Sequence, residues 1–196
     1  GPFGASLANG SEYNGRYGVE WQQVEDYHRE KLAILVDSGA DLIAIETIPL
    51  ADEALLIAEI LEELGAPPAW FSFGFVDETQ TYGLDAIDKA VLSVAGYADL
   101  VAIGMNCTHP RYVDSLLASM SELVFGIPLI VYPNHGREWD AVARCWIGDS
   151  MSISTVETVK RWVDLGARFI GGCCGIGPDD IAHLVNLVSN FSENKE

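Results

Sequence analysis

Apolar residues along the chain alternate between two patterns, one at helical spacing and one in short unbroken runs. Trp21, Val24, Tyr27, Leu32 and Leu35 recur at the interval of an amphipathic helix, and Gly39 supplies a stop. The stretch 41–47 is then a short apolar run closed by Glu46 and Thr47, the profile of a strand buried on both faces. The alternation repeats. Ala54, Leu55, Ala58, Leu61 and Leu64 mark a helix stopped by Gly65, 69–75 is the next apolar run, and a helix is predicted over 84–95. A strand over 100–107 precedes a helix through Val113, Leu116, Leu117 and Met120, and 127–132 forms the fourth strand. After a polar loop carrying Trp139 and Trp146 come a helix through Val156, Val159 and Val163, a fifth strand over 168–172, and a last helix begun by Pro178 or Asp179. Residues 1–18, with five glycines and no apolar period, read as loop.

Five strand–helix units with no predicted hairpin imply a parallel sheet covered by helices. Two architectures satisfy that pattern, an open doubly wound sheet or part of a (β/α)8 barrel. The glycine-rich fingerprint of dinucleotide binding is missing after every strand, which weakens the first. The 196 residues, 49% hydrophobic, suffice for one globular domain spanning 1–196. Residue 1 is Gly, and Gly1-Pro2-Phe3-Gly4 reads as the end of a strand-to-loop transition, so an N-terminally incomplete domain is expected.

Charge narrows the partners. With 29 acidic against 11 basic residues the net charge is −18, a field that repels nucleic acid and anionic membranes. No apolar stretch reaches the roughly 18 to 20 residues needed to cross a bilayer. Cysteines at 107, 145, 173 and 174 do not form the framework of a small secreted disulfide protein, so reduced thiols and a cytoplasmic location are expected.

In parallel α/β architectures chemistry gathers at the carboxyl ends of strands. There stand Glu46 and Thr47, Asn106 and Cys107, Tyr132 and Asn134, and Cys173 and Cys174. Neighbouring residues on a regular strand face opposite ways, so Cys173 and Cys174 can meet one target only where the backbone curls, as Gly171, Gly172 and Gly175 permit. The pair alone fits a metal clamp, a vicinal disulfide, or two small residues filling space. If the sheet curves, Cys107 approaches the pair across the fourth strand. Three protein ligands with one open position are the pattern of a catalytic zinc site. Three thiolates on Zn²⁺ leave a formal charge of about −1, poor for activating water and good for holding a further thiolate. The chemistry indicated is alkyl transfer to sulfur.

Gly104-Met105-Asn106-Cys107, Val131-Tyr132-Pro133-Asn134 and Gly171-Gly172-Cys173-Cys174-Gly175, with Glu46-Thr47 upstream, closely resemble the homocysteine S-methyltransferase family. The resemblance runs over essentially the whole chain. It implies a zinc-dependent methyltransferase of methionine biosynthesis built on a TIM barrel, of which this chain carries the fourth through eighth strand–helix units. It implies Cys107, Cys173 and Cys174 as zinc ligands, with homocysteine sulfur at the open position. Glu46 then meets the substrate ammonium group, and Thr47, Asn106 and Asn134 orient substrate or brace the loops. S-Methylmethionine is the favoured donor, ahead of S-adenosylmethionine or betaine.

Two alternatives accompany that reading, a non-catalytic zinc-binding or assembly module and a vicinal-dithiol redox protein, and self-association or a companion chain is expected to cover the missing barrel wall. Cys145 is expected to be a buried free thiol. His28 and His183 are assigned to packing or surface, His109 to a loop or cap, and His135 to the pocket rim or the surface.

Overall fold

The computed structural model describes residues 1–140 and 145–193. A short helical turn α1 (Gly4–Leu7) and a 3-10 turn over Ser11–Tyr13 precede α2 (Trp21–Asp37). The alternation then begins: β1 (Ile43–Ile48), α3 (Ala51–Leu64), β2 (Ala69–Phe73), α4 (Ile87–Val94), β3 (Leu100–Asn106), α5 (Val113–Leu123) and β4 (Leu129–Tyr132). A small hairpin, β5 (Glu138–Asp140) and β6 (Cys145–Ile147), interrupts it before α6 (Val156–Asp164), β7 (Ala167–Ile170) and α7 (Pro178–Glu193).

The five long strands form one parallel sheet in the order β1-β2-β3-β4-β7, so chain order and spatial order agree. This is five of the eight strand–helix units of a (β/α)8 barrel, the fourth through the eighth. Local chemistry ends the helices where the sequence predicts. Gly65 takes a left-handed conformation at the end of α3, and the following Ala66 N–H returns to the Leu61 carbonyl at 3.0 Å. At the start of α6 the Thr155 hydroxyl accepts the Thr158 N–H at 3.2 Å.

The core lies between the sheet and the inner faces of the helices, where Phe71, Ile103 and Val131 meet Ile57, Leu61, Val91, Leu116, Leu117 and Trp162. Trp162 is buried with its indole N–H donating to Asp114 at 3.0 Å, which ties α6 to α5. The tightest backbone approach is at Gly104, where a Cβ would stand 1.7 Å from the Ile130 carbonyl oxygen. Only glycine fits there, and β3 thereby draws close to β4, the two strands that carry the site's middle. β1 and β7 are the sheet edges, and Phe169 on β7 and Val185 on α7 are exposed.

Two expectations change. The stretch 1–18 is not plain loop: its turns pack Phe3 and Tyr17 against Val24 of α2 as a satellite cluster. The polar segment after β4 contains the antiparallel pair β5/β6, in which Trp139 registers with Trp146. Strands of three residues are too short to carry a detectable period. The expected packing role of the Trp139 and Trp146 side chains lies outside the described residues. Among the described residues no helix is long and apolar enough to cross a membrane.

Candidate metal centre

Cys107 directly follows β3 and adopts the left-handed conformation, φ +51°, which is rare for a residue with a side chain. Its backbone is held there from several sides. The Asn134 side-chain amide and the Tyr82 hydroxyl both donate to the Cys107 carbonyl, at 2.9 and 2.7 Å, while the Cys107 N–H donates to the Tyr132 carbonyl at 3.3 Å. A strained backbone persists only where its surroundings over-determine it, and here they aim the thiol inward.

The end of β7 is stitched to the β4 loop by the main chain. Gly171 N–H donates to Val131, Cys173 N–H to Pro133 at 2.8 Å, and His135 N–H to the Cys174 carbonyl at 3.0 Å. Gly175 sits at φ +82°, and a Cβ there would meet the His135 ring at 2.3 Å. The curl anticipated from the flanking glycines is therefore real, and it turns both thiols toward Cys107.

The ligand atoms of Cys107, Cys173 and Cys174 all lie within 4.8 Å of one another. Cys174 Sγ is 3.8 Å from Cys107 Sγ and 3.9 Å from Cys173 Sγ. A tetrahedral ion with metal–sulfur bonds of about 2.3 Å needs sulfurs about 3.8 Å apart, so these separations fit zinc. Cys107 and Cys173, with Cα atoms 5.5 Å apart, converge closely enough to pair as a disulfide. Such a pairing and metal binding are alternatives, because a disulfide has no thiolate to offer. The vicinal bond between Cys173 and Cys174 is not formed. Cys145, expected to be buried, is exposed on β6 because the hairpin carries it away from the core.

Beside the thiols runs a polar network. Asn106 accepts from the Thr47 N–H and the Ser72 hydroxyl, both at 2.8 Å, and its amide donates to Thr47 Oγ1 at 2.6 Å and lies 4.0 Å from Cys173 Sγ. The Tyr132 hydroxyl joins Ser72 and takes the Trp70 indole N–H at 3.1 Å. Burial, with the Glu46 charge adding to it, pushes the Tyr132 phenol well above its ordinary value, so it stays protonated. Glu46, Trp70, Tyr132, Gly171 and Gly172 line a cavity of about 290 Å³. A separate cavity of about 780 Å³ opens over Cys107 and Cys174, with Tyr82 and Asn134 in its wall.

The structure thus brings Thr47, Asn106, Asn134 and the three cysteines into one connected region, with Glu46 on the wall of the first cavity. His109 caps the turn over Pro110–Tyr112, its ring accepting the Arg111 N–H at 3.2 Å. His135 is buried against Gly175, His183 is exposed, and His28 is buried beside Glu53 at 2.7 Å. Sequence reasoning missed Ser72, Trp70 and Tyr82. Ser72 and Trp70 read as interior strand positions, and Tyr82 lies in a stretch without periodicity.

Five parallel strand–helix units with a thiol triad on the carboxyl rim define a barrel-type α/β protein with a cysteine cluster at its functional end. Residues 1–188 match the sequence profile of the homocysteine S-methyltransferase family, and the chain belongs to it. It is 40% identical over 198 residues to homocysteine S-methyltransferase 2 of Arabidopsis thaliana, covering 97% of this chain and 58% of that one. It is also 36% identical to a selenocysteine methyltransferase of Astragalus bisulcatus, covering 97% of this chain and 57% of the relative. The metallated form of the homocysteine methyltransferase MmuM from Escherichia coli superposes with a TM-score of 0.78 at 36% identity, over 94% of this chain and 58% of that structure. The oxidised form of the same protein superposes with a TM-score of 0.80 at 35% identity, covering 95% and 59%. The chain spans under two thirds of the length of these relatives.

Proposed function

We propose that this chain carries the metal and acceptor sites of a methyltransferase that moves a methyl group from a sulfonium donor, S-methylmethionine, to homocysteine. The observation that carries this reading is the convergence of Cys107, Cys173 and Cys174 within 4.8 Å at the rim of the sheet. In the reduced protein these residues would hold Zn²⁺. Zinc bound there supplies a Lewis acid that keeps an incoming thiol deprotonated near neutral pH.

The chain's own residues account for the rest. Glu46 offers a carboxylate for the substrate ammonium group on the wall of the smaller cavity. Thr47, Asn106 and Asn134 contribute by holding the thiol-bearing loops in place, as their bonds to one another and to Cys107 imply. In the reaction the homocysteine sulfur, its proton lost to solvent, attacks the methyl carbon. The bond from that carbon to the donor sulfur breaks, and the electron pair stays on the donor sulfur as a neutral thioether. Positioning two substrates in line accounts for much of the rate.

The test is methionine formation from homocysteine and S-methylmethionine by the reduced, zinc-loaded protein, followed by mass spectrometry with isotopically labelled donor methyl. No labelled methionine would sink the reading. One observation favours a second reading, a zinc-binding module that works only when another segment or chain covers it: Phe169 of the edge strand β7 lines the Glu46 cavity and is exposed. Zinc retained without turnover would select it.

A further inference from the structure

The larger cavity, about 780 Å³, shares no lining residue with the one that holds Glu46, yet both border the thiol region. Its volume suits a small organic ligand. Cys107 and Cys174 stand in its wall. Above them Tyr13 and Tyr82 pack edge to face with ring centroids 5.3 Å apart, and the Tyr82 hydroxyl is fixed by its bond to the Cys107 carbonyl. On another side the Arg111 guanidinium lies over the Tyr112 ring, 4.7 Å from its centroid, and donates to the Tyr112 hydroxyl at 2.8 Å. That leaves a planar fork already oriented, with further N–H groups to offer a carboxylate. Glu12, also in the wall, has its Oε2 buried with no hydrogen-bond partner. A buried carboxylate oxygen without a partner is costly and calls for a cationic donor.

These groups match the parts of one molecule. We propose that this cavity is the donor subsite and selects a sulfonium that is also an α-amino acid. Glu12 takes the donor's ammonium group, Arg111 its carboxylate, and the Tyr13 and Tyr82 rings its sulfonium charge through their electron-rich faces. The methyl group then points toward the thiols, where the acceptor sulfur attacks it and the bonding pair returns to the donor sulfur. The assignment rests on the methyl-transfer reading and adds to it which wall of the site reads the donor.

Titration calorimetry on the reduced, zinc-loaded protein tests it with three probes: S-methylmethionine, its decarboxylated analogue (3-aminopropyl)dimethylsulfonium, and dimethylsulfoniopropionate, which lacks the ammonium group. Arg111→Gln weakens S-methylmethionine by about tenfold or more, the scale of one charge-assisted hydrogen bond, and leaves the decarboxylated analogue unchanged. Glu12→Gln weakens S-methylmethionine similarly and leaves dimethylsulfoniopropionate unchanged. Arg111→Lys recovers part of the loss, and homocysteine affinity is the same in all variants. The inference is overturned if the variants bind S-methylmethionine as tightly as the parent, if they lose all three probes alike while melting at the parent temperature, or if homocysteine binding falls instead. Absence of zinc-dependent homocysteine binding in the parent protein overturns the methyl-transfer reading separately, since the comparison of sulfonium probes is read without the acceptor.

Discussion

Asn106 on β3 clamps Thr47 at the end of β1, donating to its hydroxyl at 2.6 Å and accepting its N–H at 2.8 Å. Thr47 needs the clamp, because it sits at φ +60°, where a β-branched residue is strained. Two strand ends that are not sheet neighbours are thereby locked across Ser72 of β2, which also donates to Asn106.

Replacing Asn106 by Ala leaves the Thr47 N–H without its acceptor and removes one partner of the buried Ser72 hydroxyl. The expected loss is about 2 kcal/mol of unfolding free energy, the scale of a buried unsatisfied group. Urea unfolding measures it. A variant as stable as the parent would show that the clamp is ornamental.

On the proposed reading, metal binding should depend on three thiols and not on the fourth. In reducing buffer the protein should take up about one zinc per chain, and Cys107→Ala, Cys173→Ala or Cys174→Ala should weaken it at least about tenfold. Cys145→Ala leaves it unchanged, because Cys145 is exposed on the hairpin. Competition with a chromophoric chelator reads the affinities, and equal retention by the Cys107 variant would argue against the triad.

Glu53 on α3 is fully buried and joins three distant segments: it accepts the Phe3 N–H at 2.7 Å, contacts His28 Nε2 at 2.7 Å, and takes the Tyr17 hydroxyl. Burial and the adjacent carboxylate push the Tyr17 phenol far above its ordinary value, so that donor is not lost at any neutral pH. Glu53→Ala should cost about 3 kcal/mol, because it strips three buried polar groups of their shared partner. It should also abolish hydrogen-exchange protection of the Phe3 amide. Unaltered protection at Phe3 would count against this account.

Asp77 is a local marker of acid titration. Asp77 accepts from the Thr79 N–H at 2.7 Å and the Gln80 N–H at 2.9 Å, and these bonds hold its carboxyl below the ordinary 3.8. A carboxyl whose folded pKa is depressed contributes stability fully above the unfolded value. That contribution fades as pH falls from about 3.8 through the lower folded value. The side chain is only partly buried, so the effect is small. Carboxyl-detected NMR of the folded protein should give Asp77 a midpoint below 3.8, and Asp77→Asn should flatten the acid limb of stability. A midpoint at or above 3.8 contradicts the hydrogen-bond assignment.

Much of the architecture was legible because its signals are local. Helices such as α3 and α5 display their apolar faces at three-to-four-residue spacing, and β1 and β3 are continuous apolar runs that only two-sided burial explains. The β5/β6 pair escaped because three-residue strands have no period. Cys145 was expected in the core because cysteine alone favours burial, whereas its position on that hairpin decides its exposure.

The sequence by itself determined the order of strands and helices, and with it that Glu46, Asn106, Cys107, Asn134, Cys173 and Cys174 would gather on one rim, since a parallel sheet puts every strand's carboxyl end on the same side. Only the tertiary structure decided which side chains serve each other and which face the cavities. Asn106 is held by Thr47 and Ser72, Asn134 by the Cys107 carbonyl, and Glu12 and Arg111, from loops far apart in the chain, stand in the wall of one cavity over the thiols. The reason is physical: element formation follows from the near neighbours of each residue, while hydrogen-bond partners and cavity walls depend on strand curvature and loop closure set by packing across the whole sheet.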